Sequence, residues 1–436
     1  MTQLGTRFSG MRLGAALAAA MLAAGLAACS GSGGSSGSGS GSGSIKIGLV
    51  FPTTGSMAPL GIAEENAAKL VLDWANSHGG VGGQKIQYFE GDSQSNPATG
   101  ATVAEQLIST DGVQVVIGSY ASAIAQAIAP VTERNKVILW EEGAVSPTVA
   151  QGSDPYFFRT VGPAGTYATA DLSFLRNYLA AKLGKPLGQL RVAVAHEDGP
   201  FGTSVADAVV AQAKSLGVNI VSDIAYPETS ADLTPVVLQL KSASPDVLLF
   251  TPLVASAPVF WQAAQAQNLN LKAVIGSAGI GSSAFLNKFG AKGVQGVYDV
   301  EAPAIATMNA QNLQSQVRSD LNVLLAQYKS QAGVPCLVQC GDALGGTYDL
   351  VKYVLPGAVA SGSVTPDSIR AAALKANVPT GGTPQGFGLK FSATSGENTA
   401  AQSVIMQWQN GALVVVYPTA LASAAPIYPM PSWAQR

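Results

Sequence analysis

Histidine is almost missing from this chain, with His78 and His196 its only examples, and cysteine is nearly as scarce, at Cys29, Cys336 and Cys340. Neither histidine is spaced with the cysteines as a zinc module requires, which excludes that class of site. Charge is scarce too: 11% of residues are charged, and 24 basic against 26 acidic side chains leave a net charge of −2. That balance offers no basic field to nucleic acid. Beyond Ala28 no apolar run reaches membrane-spanning length. What the chain has in abundance is apolar residues, 47% of the total, which excludes disorder for most of its length.

The N-terminus reads as an export signal. Arg7 and Arg12 precede an apolar stretch from Leu13 to Ala28 that is short for a bilayer and ends in small residues before Cys29. Leu26-Ala27-Ala28-Cys29 resembles the bacterial lipobox, which implies a leader over 1–29 and a Cys29 thiol carrying lipid. Residues 30–44 are almost pure Gly and Ser and are expected to be a flexible tether. The G-x-S-x-G match from Gly33 to Gly37 falls in that tether, where no strand or helix can hold a nucleophile elbow. In an exported chain Cys336 and Cys340, separated by three residues, read as a disulfide pinning a local turn; half a metal site is the alternative, and it lacks partners.

From Ile45 onward short β-rich runs alternate with helical stretches. Ile45 to Phe51, Lys85 to Glu90, Val113 to Gly118 and Val137 to Trp140 form one series of strands. Arg191 to Ala195, Val218 to Tyr226, Val247 to Thr251, Ala273 to Gly276 and Gly296 to Val300 form another, joined to the first near Val161 to Thr166. Helical runs over Gln311 to Ser330 and Asp342 to Ala360 precede two late strands, Ser403 to Gln409 and Ala412 to Tyr417, around an Asn410-Gly411 hairpin turn. Such alternation predicts an α/β protein of two doubly wound parallel-sheet lobes joined by a multi-strand hinge. The expected lobes are discontinuous, 45–162 with 300–400 and 163–299 with 401–436.

Ligands of open parallel sheets bind beyond the carboxyl ends of the strands, where helix N-termini present unpaired N–H groups. The residues standing there are Pro52 to Leu60, Ser119 to Ser122, Glu141 to Val145, His196 to Phe201, Thr251-Pro252 and Ser277 to Gly279. Glu141 and Glu142 are candidates to meet a cationic or hydrogen-bond-donating ligand, and because neighbours on a strand point opposite ways, at most one faces a cleft directly.

The runs IKIGLVFPTTGSMAPLG, GDSQSNPATGATVAEQLI, VQVVIGSYAS, EEGAVSP, PYFFRT and AVAHEDGPFG, in this order, resemble the type I periplasmic binding proteins of the leucine/isoleucine/valine class over nearly all of Ile45 to Gln409. The resemblance implies that Tyr120, Ala121 and Ser122 form a strand-end cradle in which Ser122 holds a ligand carboxylate. It implies also that the backbone at Gly143-Ala144 meets the ligand ammonium and that Phe201 covers the ligand from the second lobe. The family's Thr one place on is Val145 here, a Trp often seen in the first loop matches Leu60, and the acid that pairs with the ammonium aligns with Ala278. As a whole the resemblance implies a lipid-anchored capture protein without cofactor, metal or enzymatic activity, at the outer face of the cytoplasmic membrane or in the cell envelope. Its partners are then a small-molecule ligand (an amino acid, or a related amide or carboxylate), ABC importer permease subunits and, through the anchor, the membrane.

Two rival classes have sequence features of their own. For an enzyme these are Gly279-x-Gly281-x-x-Ala284 with Asp299 beyond it, a dinucleotide-binding pattern before an expected helix of barely two turns (Ala284 to Phe289), and His196 beside Glu197 and Asp198 as a candidate base. A sensory protein of the same fold has to signal through a partner, since no kinase, membrane or DNA-binding segment follows Tyr417.

Overall fold

The computed structural model of the protein describes residues 44–150 and 154–436. Cys29, the leader and all of the Gly/Ser tether except Ser44 lie outside the described residues. Strands β1 (Ile45–Phe51), β2 (Ile86–Asp92), β3 (Val115–Gly118), β4 (Ile138–Glu141) and β5 (Phe157–Arg159) form a parallel sheet in the order β2-β1-β3-β4-β5. Every residue of β3 and β4 is buried, as expected of short, mostly apolar parallel strands covered by helices on both faces. A second sheet holds β6 (Arg191–Glu197), β7 (Asn219–Tyr226), β8 (Val247–Thr251), β9 (Ala273–Gly276), β10 (Tyr298–Glu301), β11 (Val404–Gln409) and β12 (Ala412–Tyr417), in the order β12-β11-β10-β9-β8-β6-β7. It is parallel from β7 to β10 and antiparallel at β10/β11 and β11/β12. Asn410 and Gly411, with φ of 53° and 82°, make the left-handed hairpin turn between β11 and β12.

Ten helices complete the layers that matter here: α1 (Ala58–Ser77), α2 (Pro97–Gln106), α3 (Ser122–Asn135), α4 (Ala164–Phe174), α5 (Pro200–Leu216), α6 (Thr234–Ala243), α7 (Ser256–Ala266), α8 (Ser283–Val294), α9 (Ser315–Ala332) and α10 (Val338–Asp349). Sequence-distant α9 and α10 lie against α1, beside the first sheet. Every residue of α10 is buried, and the Cys336–Cys340 disulfide, with Cα atoms 5.2 Å apart, clamps its first turn. The chain thus passes from the first sheet to the second after β5, back to α1 after β10, and into the second sheet again at β11.

One of these passages is tied down at Arg159, whose guanidinium is fully buried. It pairs with Glu397 through Nε (2.9 Å) and Nη2, while Nη1 donates to the Ala144 and Ser146 carbonyls at 2.7 and 2.8 Å. Behind it Trp140, Phe158 and Phe391 pack at centroid distances of 5.3 and 5.1 Å about Phe391.

Several details differ from the sequence reading. β5, three residues long, has no periodicity to betray it and forms because β4 offers a free edge. α8 runs to Val294 through a break at Gly290 (φ 69°), longer than the expected two turns. Val300 and Glu301, expected with the first lobe, end β10 in the second sheet, where they pair with Ile405 and Val404.

Candidate functional site

A cavity lies where the carboxyl ends of the two sheets meet. Strand ends of two facing sheets are where such folds receive small molecules. The first sheet contributes the turn after β3. Tyr120 takes a left-handed φ of 69°, Ala121 caps α3, and Ser122 opens the helix, so the Ser122 and Ala123 amides have no helical acceptor and stand at the cavity wall. The Ser122 hydroxyl is used locally, accepting the Ser146 N–H at 3.2 Å. Gly143, beyond β4, passes so close that an added Cβ would stand 2.9 Å from both Tyr120 Cα and Glu64 Oε1. Only glycine fits there.

The second sheet answers from β6 to β10. Glu197 ends β6, and its carboxylate accepts the N–H groups of Gly199 and Gly202 at 2.5 Å each, fixing the start of α5 and with it Pro200 and Phe201 in the wall. Glu228 follows β7, Leu253 follows β8 and Ala278 (φ 45°) follows β9. Glu301 ends β10, takes a hydrogen bond from the Ala278 N–H, and accepts Gln339 Nε2 at 2.8 Å. Gln339 and Asp342 come from the first turns of α10, Glu64 from α1 and Tyr167 from α4.

The electrostatics are one-sided. Five carboxyl side chains line the cavity (Glu64, Glu197, Glu228, Glu301 and Asp342), with no Lys, Arg or His among the lining residues. Burial pushes Glu301 up to about 8 and Glu197 up to about 7, each against the hydrogen bonds it accepts. Glu64 is held well above the ordinary carboxyl range by burial and by the neighbouring charges of Asp342, Glu141, Glu142 and Glu301; Asp342 is raised by burial and by Glu301. Both oxygens of Glu64, Oδ1 of Asp342 and the Tyr120 hydroxyl have no hydrogen-bond partner.

Of the residues singled out from sequence, Tyr120, Ala121, Ser122, Phe201 and Ala278 line this cavity, and Glu141, Glu142, Ala144 and Val145 do not. Glu141 points into the β3–α3 turn, where Oε1 accepts the N–H groups of Ser119 (2.9 Å), Gly143 (2.9 Å) and Ala144 (2.7 Å). Glu142 turns the other way, as strand alternation requires, and its Oε1 accepts Thr347 Oγ1 of α10 at 2.9 Å. The two acids expected to meet a ligand are spent on structure. Glu64, Tyr167, Glu228, Glu301, Gln339 and Asp342 escaped the sequence reading. Glu301 carried a signal, standing one residue past a recognised strand end.

The features favouring an enzyme serve packing. A Cβ on Gly281 would meet Asp299 Oδ2 at 2.6 Å and one on Gly279 the Leu253 carbonyl oxygen at 2.5 Å, so these glycines admit close neighbours, and Asp299 is buried in the sheet. The His196 ring sits by the Glu197 carbonyl (Nδ1, 2.8 Å) and Asp223 (Nε2, 3.6 Å), and its hydrogen bonds go to no hydroxyl or thiol. Among the described residues no group of acids, His and Cys is placed to hold a metal ion, and no helix is long and apolar enough to cross a membrane.

Known proteins share this architecture. The family described as "Periplasmic binding protein" matches residues 44–412. The Leu/Ile/Val-binding protein homolog 8 of Brucella abortus (strain 2308) is 30% identical over 382 residues, 87% of this chain and 92% of that protein, and homolog 7 of the same strain is 30% identical over 385 residues. Two solved structures share the fold. One is the branched-chain amino acid transporter substrate binding protein LivJ of Streptococcus pneumoniae in complex with isoleucine (TM-score 0.70, 20% identity, 86% of this chain and 100% of that one). The other is an ABC transporter solute binding protein of R. palustris in complex with benzoate (TM-score 0.70, 19% identity, 88% and 98%). That match across both sheets, with a cavity walled by both sets of strand ends, places the chain in the family of type I periplasmic binding proteins of the Leu/Ile/Val-binding type, which are extracytoplasmic solute-binding proteins.

Proposed function

We propose that this protein captures a small organic solute outside the cytoplasmic membrane, held there by lipid on Cys29, and delivers it to the permease subunits of an ABC importer. The observation that carries the reading is the cavity itself, whose wall comes from the strand ends of both sheets. A solute there is shielded from water only when the halves approach, so binding draws an open population toward a closed one, and the contacts made only on closure set the affinity. The moving halves are 45–162 with 302–400 and, with the boundary moved past the end of β10, 163–301 with 401–436, hinged at the three passages between the sheets. Tyr120, Ala121 and Ser122 receive the solute on one side and Phe201 and Ala278 cover it from the other. The names of the relatives point to branched-chain amino acids, and the structural neighbours hold isoleucine and benzoate.

Native mass spectrometry of the full-length protein, purified in detergent without denaturation, tests capture directly. A retained small molecule that, added back to stripped protein, lowers the radius of gyration in X-ray scattering is the expected result. A protein that retains nothing, and whose scattering no solute changes, contradicts it. Cys29→Ser should release the protein from membranes with its fold intact, and unchanged membrane retention removes the anchor from the account.

A further inference from the structure

We propose that the solute is a small organic cation carrying more than one N–H-bearing nitrogen, an amine or guanidine, held by the unpartnered carboxyl oxygens of Glu64 and Asp342 with Glu301 beside them. The proposal rests on the reading of the cavity as the solute site and names what that site takes. Its first support is the charge count: five carboxyl groups in one wall and no basic side chain to answer them. A fully buried cation of the surrounding fold, Arg159, is committed to Glu397 and two carbonyls. A zwitterion such as leucine brings one ammonium and no net charge, which leaves most of these acids unanswered.

The independent support is the set of orphaned polar atoms. Glu64 is 0% exposed and Asp342 6%, yet both oxygens of the first and Oδ1 of the second meet no donor, and the Tyr120 hydroxyl beside them is also unpaired. Buried polar groups in native proteins are almost always hydrogen-bonded, and four of the orphaned atoms among the described residues gather in this one wall, where a solute can reach them. Once a bound cation draws off their protons these carboxyl oxygens only accept, so the partner that completes them donates N–H groups. A metal ion is disfavoured because no group of acids among the described residues is placed to hold one. Tyr120, Tyr167 and Phe201 complete the wall with aromatic surface suited to the faces of an organic cation. At the far side the first-turn amides of α3 offer donors to one acceptor atom of the same solute.

Calorimetry on the stripped full-length protein in detergent tests this with agmatine, putrescine and L-arginine against choline, L-leucine and benzoate. At least one of the first three should bind about tenfold tighter or better than each of the others. Glu64→Gln and Asp342→Asn should each weaken it by about tenfold or more, the scale of a lost charged hydrogen bond, with melting of the empty variants not lowered. Choline equalling the best N–H cation removes the donor requirement and overturns the proposal. Leucine or benzoate binding tightest, with closure in scattering, also overturns it while leaving solute capture standing. Cation binding that survives both substitutions, or no binding by any of the three cations, overturns it equally.

Discussion

Glu141 and Glu64 are both completely buried acids within reach of the same turn, yet they face opposite circumstances. Glu141 ends a strand and has three backbone N–H groups and a serine hydroxyl around its carboxylate. Glu64 lies mid-helix, meets no donor at all, and is raised well above the ordinary range by burial and surrounding charge. Burial pushes Glu141 up as well, but its N–H donors oppose that push. The first acid is part of the scaffold that shapes the cradle of Tyr120, Ala121 and Ser122. The second is left incomplete by the fold. Buried acids therefore cannot be ranked by burial alone; what meets their oxygens separates structure from site.

The contrast is most easily broken at Glu141. Glu141→Leu leaves the Ser119, Gly143 and Ala144 amides unpaired and should cost roughly 3–5 kcal/mol in denaturant unfolding. A loss well under that range makes the turn self-supporting. Of at least equal size is a pH effect on the empty protein. A carboxyl whose folded pKa exceeds its unfolded value holds its proton more tightly when folded, so its stability contribution is complete below the unfolded pKa and is lost as pH rises through the folded one. With Glu197 near 7 and Glu301 near 8, stability should fall by roughly 6 kcal/mol between about pH 5 and pH 9. A stability that is flat or rises over that window contradicts the raised values.

Smaller effects sharpen the comparison. The Cys336–Cys340 bridge closes a short loop, so its removal by paired serine substitution should cost about 2 kcal/mol or less. It should nonetheless weaken solute binding, since it fixes the turn that carries Gln339 and Asp342 into the wall; unchanged affinity makes the bridge purely structural. Smallest is Glu64→Gln, which should stabilise the empty protein at about pH 8 by an amount on the order of 1 kcal/mol. Destabilisation there means that Glu64, like Glu141, belongs to the scaffold.

Much of this was legible in the sequence. β-branched runs such as Val115-Val116-Ile117 declare buried strands, and the rule that parallel sheets bind at their carboxyl ends brought Tyr120, Ala121, Ser122, Phe201 and Ala278 to the cavity wall. The same rule misdirected attention to Glu141 and Glu142, because strand-end position does not reveal which backbone amides will curl back onto a carboxylate. Glu64 and Asp342 were hidden for a different reason. An acid within a helical run reads as a solvated face, and only the packing of α10 on α1, far apart in sequence, brings the two acids toward Glu301. Glu301 was lost to a strand boundary set one residue short.

The central claim, that incomplete acids in the cavity wait for a cation, is tested most directly by counting protons. Calorimetric binding of the best cation at about pH 7, repeated in buffers of different ionisation enthalpy, reports the protons exchanged. A cation seated among carboxyls held protonated by their raised pKa values should release protons, with affinity rising as pH rises toward about 8, where Glu301 titrates. Binding with no proton release, or with affinity that falls over that range, contradicts the account.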